Sequence, residues 1–458
     1  MTLATEVAEF FLAHLLAVVG FLSAVLLLTR NDMPRRPTGS TIAWLLAIVL
    51  VPYVGVPLYL VFGGRKLRQR SAAKPRLGAR SAPPPADPLV RLLCASGAAP
   101  PTEGNAVELL PDGEAAYAAI LRALDGAERT IDVSTLIFAC DEVGSAIADR
   151  LIARAKAGVT VRVLVDALFK FRSSRAQNAR LVAAGVQLAW FMPLVHLPFR
   201  GSANLRLHRK EILVDGRLAI VGGTNLASEY IGPVPKPGRW RDLSMRVEGP
   251  AVADIATIFA ADWAFAAHHA SPEPIATEGP GAIAIQVVGS GPDAASDRIY
   301  DALLTAVFGA KRRLWIATPY FVPDDALARA IALAARRGVE VCILVPLRSN
   351  HLTADLAGAP SLRELAREGA RIACYAPGMM HAKLVLVDDE LAILGSANVD
   401  MRSLFLDYEI ALFLHARSEV EAMAAWFEAL LPDCVPLPAP GKARALVENV
   451  VRLLAPLE

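Results

Sequence analysis

Apolar residues are concentrated at the start of the chain. Phe10 to Thr29 and Ile42 to Phe62 contain no Asp, Glu, Lys or Arg. Each is close to the ~20 residues that cross a bilayer core, so the pattern predicts a two-helix transmembrane hairpin over 1–64, kinked at Pro52 and Pro57. Glu6 and Glu9 precede the first stretch and no Lys or Arg does, which favours a retained anchor over a cleaved signal peptide. A basic and Pro-rich linker, 65–105, follows.

Beyond the linker, short β-branched and apolar runs alternate with helical periodicity. Val107–Leu110, Thr130–Phe138 and Val159–Val165 read as strands, and Gly113–Leu124 and Gly144–Ala157 as helices. The fold class is therefore α/β, a mixed sheet flanked by helices. The rhythm repeats. RTIDVSTLIF at Arg129 is echoed by RLWIATPYF at Arg313, AGVTVRVLVD at Ala157 by RGVEVCILVP at Arg337, and LHRKEILVDG at Leu207 by MHAKLVLVDD at Met380. The offset is 180 positions from Gly158 to Gly338 and 173 from His208 to His381. Two tandem domains related by a pseudo-two-fold, 106–270 and 282–435, are expected, joined by a Pro- and Gly-rich linker near Ser271 to Gly281. In the tail, 436–458, apolar residues from Ala443 to Leu454 recur at helical spacing, predicting an amphipathic helix over Lys442–Leu454 that packs on the body of the protein in preference to a membrane.

Composition narrows the class. The 458 residues are 54% hydrophobic and 20% charged, enough for a large core, and the net charge of +2 lacks the basic excess of a nucleic-acid binder. The positive charge is local: seven Lys and Arg lie between Arg65 and Arg80 with no acid among them, leaving about −5 for the rest. That run is expected to lie on anionic lipid headgroups. Positive-inside counting places the C-terminal part in the cytoplasm, although Arg30, Arg35 and Arg36 in the hairpin loop oppose this. The five cysteines show neither disulfide nor zinc spacing and fit a reducing compartment.

Two motifs carry the chemistry. His208-x-Lys210, then Asp215, then Gly222-Gly223-Thr224-Asn225 matches His381-x-Lys383, then Asp388, then Gly395-Ser396-Ala397-Asn398 at identical spacing. On a strand, His and Lys two apart point to one face. A turn is favoured at the Asp, and the small residues before the Asn let backbone amides approach an anion. Two halves facing each other would give two imidazoles, two ammoniums and two amides around one pocket. Lysines and asparagines can hold the non-bridging oxygens of a phosphodiester, one histidine can attack phosphorus, and the other can shuttle the proton. The scheme needs no metal and no organic cofactor.

These paired HxKxxxxDxxxxxxG(G/S)xN motifs resemble those of the phospholipase D superfamily, and the chain is similar to its bacterial cardiolipin synthase branch from about residue 40 to the end. PYVGVPLYLVFGGRKL from Pro52, NLASEY from Asn225, WRDLSMRVEGPAV from Trp240, TPYFVPD from Thr318, GMMHAK from Gly378 and GSANVDMRS from Gly395 carry the likeness. Leu207 departs from it, since the branch commonly has Asn there. The resemblance implies an enzyme of the inner membrane that transfers a phosphatidyl group between two phosphatidylglycerols. By it, His208 is the nucleophile, His381 the general acid/base, and Lys210, Lys383, Asp215 and Asp388 complete the motifs. Asn225, Asn398, Gly223 and Ser396 are the expected substrate contacts. The two aspartates are better suited to orienting loops and lysines. A phospholipase D that uses water as acceptor is the alternative, with a superfamily nuclease behind it.

Asp242 and Glu409 follow the two motifs at comparable distances and are expected to orient the imidazoles and raise their basicity. Glu229, Tyr230 and Tyr320 are further candidates for the pocket wall, and His351 and Asp355 for headgroup contact. Leu188 to Phe199, apolar and Pro-broken, suits either core packing or a lip that dips into a bilayer.

Overall fold

The computed structural model describes residues 86–192, 205–268, 279–294 and 296–454, with isolated positions between 10 and 55. The expected hairpin lies largely, and the basic run wholly, outside the described residues. Among the described residues no helix is long and apolar enough to cross a membrane.

The N-terminal half runs α1 (Pro88–Ala95), β1 (Thr102–Leu110), α2 (Gly113–Asp125), β2 (Thr130–Thr135), α3 (Glu142–Lys156), β3 (Thr160–Asp166), α4 (Arg175–Ala183), β4 (Gln187–Phe191), β5 (Glu211–Val214), β6 (Leu218–Gly222), β7 (Ser244–Glu248) and α5 (Ala251–Ala267). The C-terminal half runs β8 (Ile283–Ser290), α6 (Arg298–Gly309), β9 (Arg313–Ala317), β10 (Phe321–Val322), α7 (Asp325–Arg336), β11 (Glu340–Pro346), α8 (Leu352–Arg367), β12 (Arg371–Tyr375), β13 (Leu384–Val387), β14 (Leu391–Gly395), β15 (Val399–Asp400), α9 (Met401–Phe405), β16 (Glu409–Leu414), α10 (Arg417–Leu430), β17 (Cys434–Pro436) and α11 (Lys442–Leu454).

Helix starts are fixed by side-chain caps: Asp112, Asp141 and Asp324 accept from Ala115, Gly144 and Leu327. Gly158 and Gly338, with φ of 93° and 88°, make the same left-handed exit from α3 and α7, where any Cβ would strain the turn. The strands that follow, β3 and β11, are buried along almost their whole length, as parallel strands covered on both faces must be.

The expected βαβ repeat is present and closes on itself. One sheet of 15 strands runs β17-β12-β11-β9-β13-β14-β16-β8-β1-β7-β6-β5-β2-β3-β4. Read outward from the β8–β1 seam, each half has the same order, with β1, β7, β6, β5, β2, β3, β4 matched by β8, β16, β14, β13, β9, β11, β12. The seam is short: Thr102 pairs with Ile285 and Asn105 with Ile283, antiparallel, with an irregularity between them. Fully buried Asn105 holds it, donating to Thr102 O (2.7 Å) and Ile283 O (3.0 Å) and accepting from Ala251 N (2.8 Å).

Local differences from the sequence reading have simple causes. Pro88, read as linker, is the first residue of α1, where its missing N–H costs nothing, and Asp87 caps the helix. The β2 strand stops at Thr135, whose side chain turns to bond Ile137 O and Asn225. The tail helix forms over the expected Lys442–Leu454 and packs on α8 through a buried Glu448 bonded to Arg363 and Arg444. Its Leu446, Val447 and Val450 face outward, so polar bonds and not the apolar stripe dock it.

Candidate active site

Strand β5 is antiparallel to β2, with Glu211 opposite Ser134, so the residues leading into β5 stand at the C-terminal ends of β2, β3 and β4. The pairing of β13 with β9 and β11 repeats this in the other half. His208 and Lys210, and His381 and Lys383, sit on these lead-ins, one residue or more before the strands begin.

The lead-ins are bonded across to the opposite half as well as to their own, where Leu207 N donates to Asp166 Oδ2 (2.8 Å) at the end of β3. Leu207 bridges to Tyr408 and Met380 to Arg241. His208 N donates to Tyr408 O (2.9 Å) and Tyr408 N to Arg206 O (2.9 Å), while His381 N donates to Arg241 O (2.6 Å) and Arg241 N to Met379 O (2.7 Å). Register explains why: Gly222 pairs with Ser244 and Gly395 with Ala411, which makes Asp242, just before β7, and Glu409, the first residue of β16, equivalent positions.

The supporting acids consequently cross over. Glu409 Oε1 lies 2.7 Å from His208 Nδ1, and Asp242 Oδ2 lies 2.7 Å from His381 Nδ1. Both carboxylates are fully buried, as are Lys210 and Lys383. Each lysine turns back onto its own histidine, Lys210 Nζ donating to His208 O (2.5 Å) and Lys383 Nζ to His381 O, with Lys383 also 3.1 Å from His381 Nε2.

Small residues in the motifs serve these acids. A Cβ on Gly223 would stand 2.2 Å from Asp242 Oδ1, so only glycine lets Asp242 reach across. At the matching position Ser396 donates to Glu409 Oε2 and accepts from Ile410 N (3.0 Å). The expected substrate contacts Gly223 and Ser396 are thus spacers and partners for the carboxylates. Asn225 Oδ1 accepts from Ile137 N (3.2 Å) and Thr135 Oγ1 (3.3 Å); Asn398 Nδ2 donates to Ser403 Oγ (3.1 Å), and its buried Oδ1 has no partner among the described residues.

Asp215 and Asp388 do not enter the pocket. They lie past the far ends of β5 and β13 at φ of 56° and 52°. Asp215 accepts from the backbone N–H of Glu128, Arg129 and Thr130, and Asp388 from that of Lys311, Arg312 and Arg313. Their expected place in the catalytic set gives way to turn anchoring, and they touch neither lysine.

Burial dominates the electrostatics. It brings His208 down to about 4 against the pull of Glu409, and His381 well below its ordinary value. It lowers Lys210 to about 8 and Lys383 to about 7, with the nearby acids opposing. Burial also pushes Asp242 up to about 7, with Lys383 opposing. Glu409 differs: burial raises it, but the His208 charge and hydrogen bond, Lys210 and Ser396 outweigh this and leave it below its ordinary value. An anion bound beside these lysines would favour their charged forms.

Sequence reasoning missed several supports. Trp240 flanks the His381 ring at a centroid distance of 5.2 Å, together with the pocket-wall candidate Tyr230 at 5.1 Å. Arg209, between His208 and Lys210, is fully buried; it donates to Glu409 O (3.0 Å), Asp262 Oδ2 (2.5 Å) and Ser290 O (3.1 Å). An Asp inside the apolar run of α5 was the available signal. Of the other candidates, Tyr230 is buried and Glu229 pairs with Arg172 (2.6 Å), while Tyr320 donates to Asn350 (2.6 Å) beside His351 (5.3 Å). Asp355 accepts from Ser349 N (3.0 Å) and so caps a loop. In the Leu188–Phe199 segment, Phe191 is buried against Tyr408 and Phe265, and residues 193–199 lie outside the described residues.

Comparison with known proteins places this geometry. The family described as "Cardiolipin synthase, PLD-like domain" matches residues 120–263 and 303–431, and "Phospholipase_D-nuclease N-terminal" matches 15–64. Cardiolipin synthase 1 of Bacillus cereus is 34% identical over 86% of this chain and 83% of that protein. The cardiolipin synthase of Geobacillus kaustophilus is 32% identical over 97% and 94%, and the major cardiolipin synthase of Bacillus subtilis 32% identical over 91% and 92%. The crystal structure of phosphatidylserine synthase from Haemophilus influenzae Rd KW20 shares the fold, with a TM-score of 0.61 at 16% identity over 76% of this chain and 92% of that one.

Proposed function

The chain belongs to the phospholipase D-like cardiolipin synthase family, and on that premise we propose that it joins two phosphatidylglycerol molecules into cardiolipin and glycerol at the junction of its halves. The observation that carries the reading is the crossed pairing of His208 with Glu409 and His381 with Asp242, which assembles two charge-supported imidazoles at one place.

In the proposed cycle His208 Nε2 attacks the phosphorus of the donor. The bond from phosphorus to the headgroup oxygen breaks, and that oxygen takes a proton from His381, releasing glycerol. His381 then accepts the proton of the free hydroxyl of a second phosphatidylglycerol, whose oxygen attacks phosphorus and frees His208. Lys210 and Lys383 hold the non-bridging oxygens. Two differences support His208 as the nucleophile: its acid Glu409 is the readily ionised one, and its side chain is 12% exposed against 5% for His381. Residues 1–64 anchor the enzyme in the bacterial inner membrane, with the two domains, 106–270 and 282–435, in the cytoplasm.

Expression in a cardiolipin-free host followed by lipid mass spectrometry tests the reading; phosphatidic acid without cardiolipin would make the enzyme a hydrolase. Trapping with phosphorus-labelled phosphatidylglycerol tests the order. The adduct is expected on His208 in His381→Ala, and an adduct on His381 in His208→Ala reverses the roles.

A further inference from the structure

The pocket opens at the C-terminal ends of the parallel strands, and the segments leaving β3 and β11 there are its two rims. On the first, Ala167–Arg172 forms a 3-10 turn; on the second, Leu347 to His351 leads into α8. Among the described residues the two most exposed large hydrophobic side chains are Phe171 (76%) and Leu352 (70%). One stands on each rim, 13 positions after Gly158 and 14 after Gly338, so the pseudo-two-fold relates them to within one residue. Neither fills a core, and each adjoins residues that reach the histidines: Arg172, next to Phe171, bonds Glu229 (2.6 Å), whose carbonyl accepts from Trp240 N beside the His381 ring, and His351, next to Leu352, is among the charges that act on His381.

Their surroundings say what covers them. Phe169 packs on Phe171 at 5.8 Å, and Lys170 Nζ lies 4.9 Å from the Trp190 ring, on the end of β4. No Asp or Glu occurs from Ala167 to Ala176 or from Leu347 to Ala354, whereas Lys170, Arg175 and Arg348 are exposed cations. Two acids do reach the rims, Glu229 paired with Arg172 and Asp355 bonded to Ser349 N, but exposed apolar tips amid aromatic rings and the exposed cations Lys170, Arg175 and Arg348 match the headgroup zone of an anionic bilayer, where rings sit at the interface and cations meet lipid phosphates. Two separate apolar tips on either side of a pocket suit a fluid surface, which can meet both at once.

We propose that Phe171 and Leu352 are twin interfacial prongs that seat the pocket mouth on an anionic bilayer, so that a phosphatidylglycerol headgroup enters between them without its acyl chains leaving the membrane. The inference rests on the lipid-substrate reading and adds to it a docking surface separate from the anchor at 1–64.

The test uses the full chain in phosphatidylcholine vesicles and two substrates: long-chain phosphatidylglycerol in the same bilayer, and monomeric dihexanoyl-phosphatidylglycerol supplied from water. The double variant Phe171→Ser with Leu352→Ser should lose at least tenfold in turnover on the bilayer substrate and stay within twofold of wild type on the monomeric one, which also certifies its folding. Unchanged bilayer turnover, or an equal loss on both, overturns the proposal. Independently, Phe171→Trp should add fluorescence quenching over wild type in vesicles of bromine-labelled phosphatidylglycerol. Absence of added quenching, as a second copy or a soluble protein on the rims would give, overturns it too. Wild type that is inactive on both substrates while Phe171→Trp is quenched would sink the functional reading and leave the prongs standing.

Discussion

Replacing Glu409 by Gln removes a charge from His208 while keeping its shape and a hydrogen-bonding atom at 2.7 Å from Nδ1. In the proposed cycle, attack on phosphorus turns His208 from neutral to cationic, so the buried carboxylate stabilises the product of that step and not its start. At about 4 Å between charge centres and an effective dielectric near 20, the interaction is about 4 kcal/mol. Half of it retained through relaxation and Lys210 leaves a loss of ~2–4 kcal/mol in the transition state, or about 30- to 1000-fold in rate. Rapid-quench measurement of labelled phosphoenzyme reads this step directly, and circular dichroism checks the fold. Asp242→Asn behaves differently with pH. Asp242 titrates at about 7, so it is protonated below and ionised above, and the deficit of the Asn variant should grow as pH rises from 6 to 8. A Glu409→Gln enzyme that forms phosphoenzyme within fivefold of the wild-type rate refutes the electrostatic role.

Gly223→Ala places a methyl 2.2 Å from Asp242 Oδ1, so turnover at pH 8 should fall at least tenfold, matching Asp242→Asn; near-normal turnover would mean the backbone yields instead. Asp215→Ala deprives three backbone N–H groups of a charged acceptor, at about 1 kcal/mol each, and leaves a left-handed residue. Its stability should drop by about 3 kcal/mol in thermal melts while turnover of the folded enzyme stays within threefold; a 100-fold loss at unchanged stability would return Asp215 to the chemistry. Lys383 and Lys210, at about 7 and about 8, lose charge as pH rises, so kcat/KM should fall on the alkaline side, and Lys383→Arg, where active, should lack that part of the limb.

Much of this was legible because duplication is a strong signal. The identical spacing around His208 and His381 marks equivalent strands, and alternation puts each His and Lys on one side. That Asp242 and Glu409 stand beside the imidazoles was also readable from their similar distance to the motifs. Their direction was not. A single chain carries no sign that the acid after one motif serves the histidine of the other, because that depends on a contact across a pseudo-axis between residues more than a hundred positions apart. Gly223 and Ser396 were read as anion contacts for the same reason: their neighbour in space, the carboxylate, comes from the adjacent strand through Gly222–Ser244 and Gly395–Ala411 pairing.

Crossing the acids has a consequence for how such a site must be built. Had Asp242 served His208, each half would carry a complete histidine-acid pair and could work alone. With the acids exchanged, each imidazole meets a carboxylate of the other half, and the lead-in of each half is bonded to the other through Tyr408 and Arg241. The exchange also lets the halves diverge without separating. Glu with Ser396 in one position and Asp with Gly223 in the other reach the same 2.7 Å contact by different routes. The longer acid gains a hydroxyl donor and remains ionised. The shorter one has the backbone N–H of Leu243 and titrates near neutrality. A phosphoryl transfer that needs one nucleophile and one proton shuttle asks for that inequality, since an imidazole beside a permanent anion stabilises a cationic intermediate while one beside a titrating acid can give its proton up and take it back.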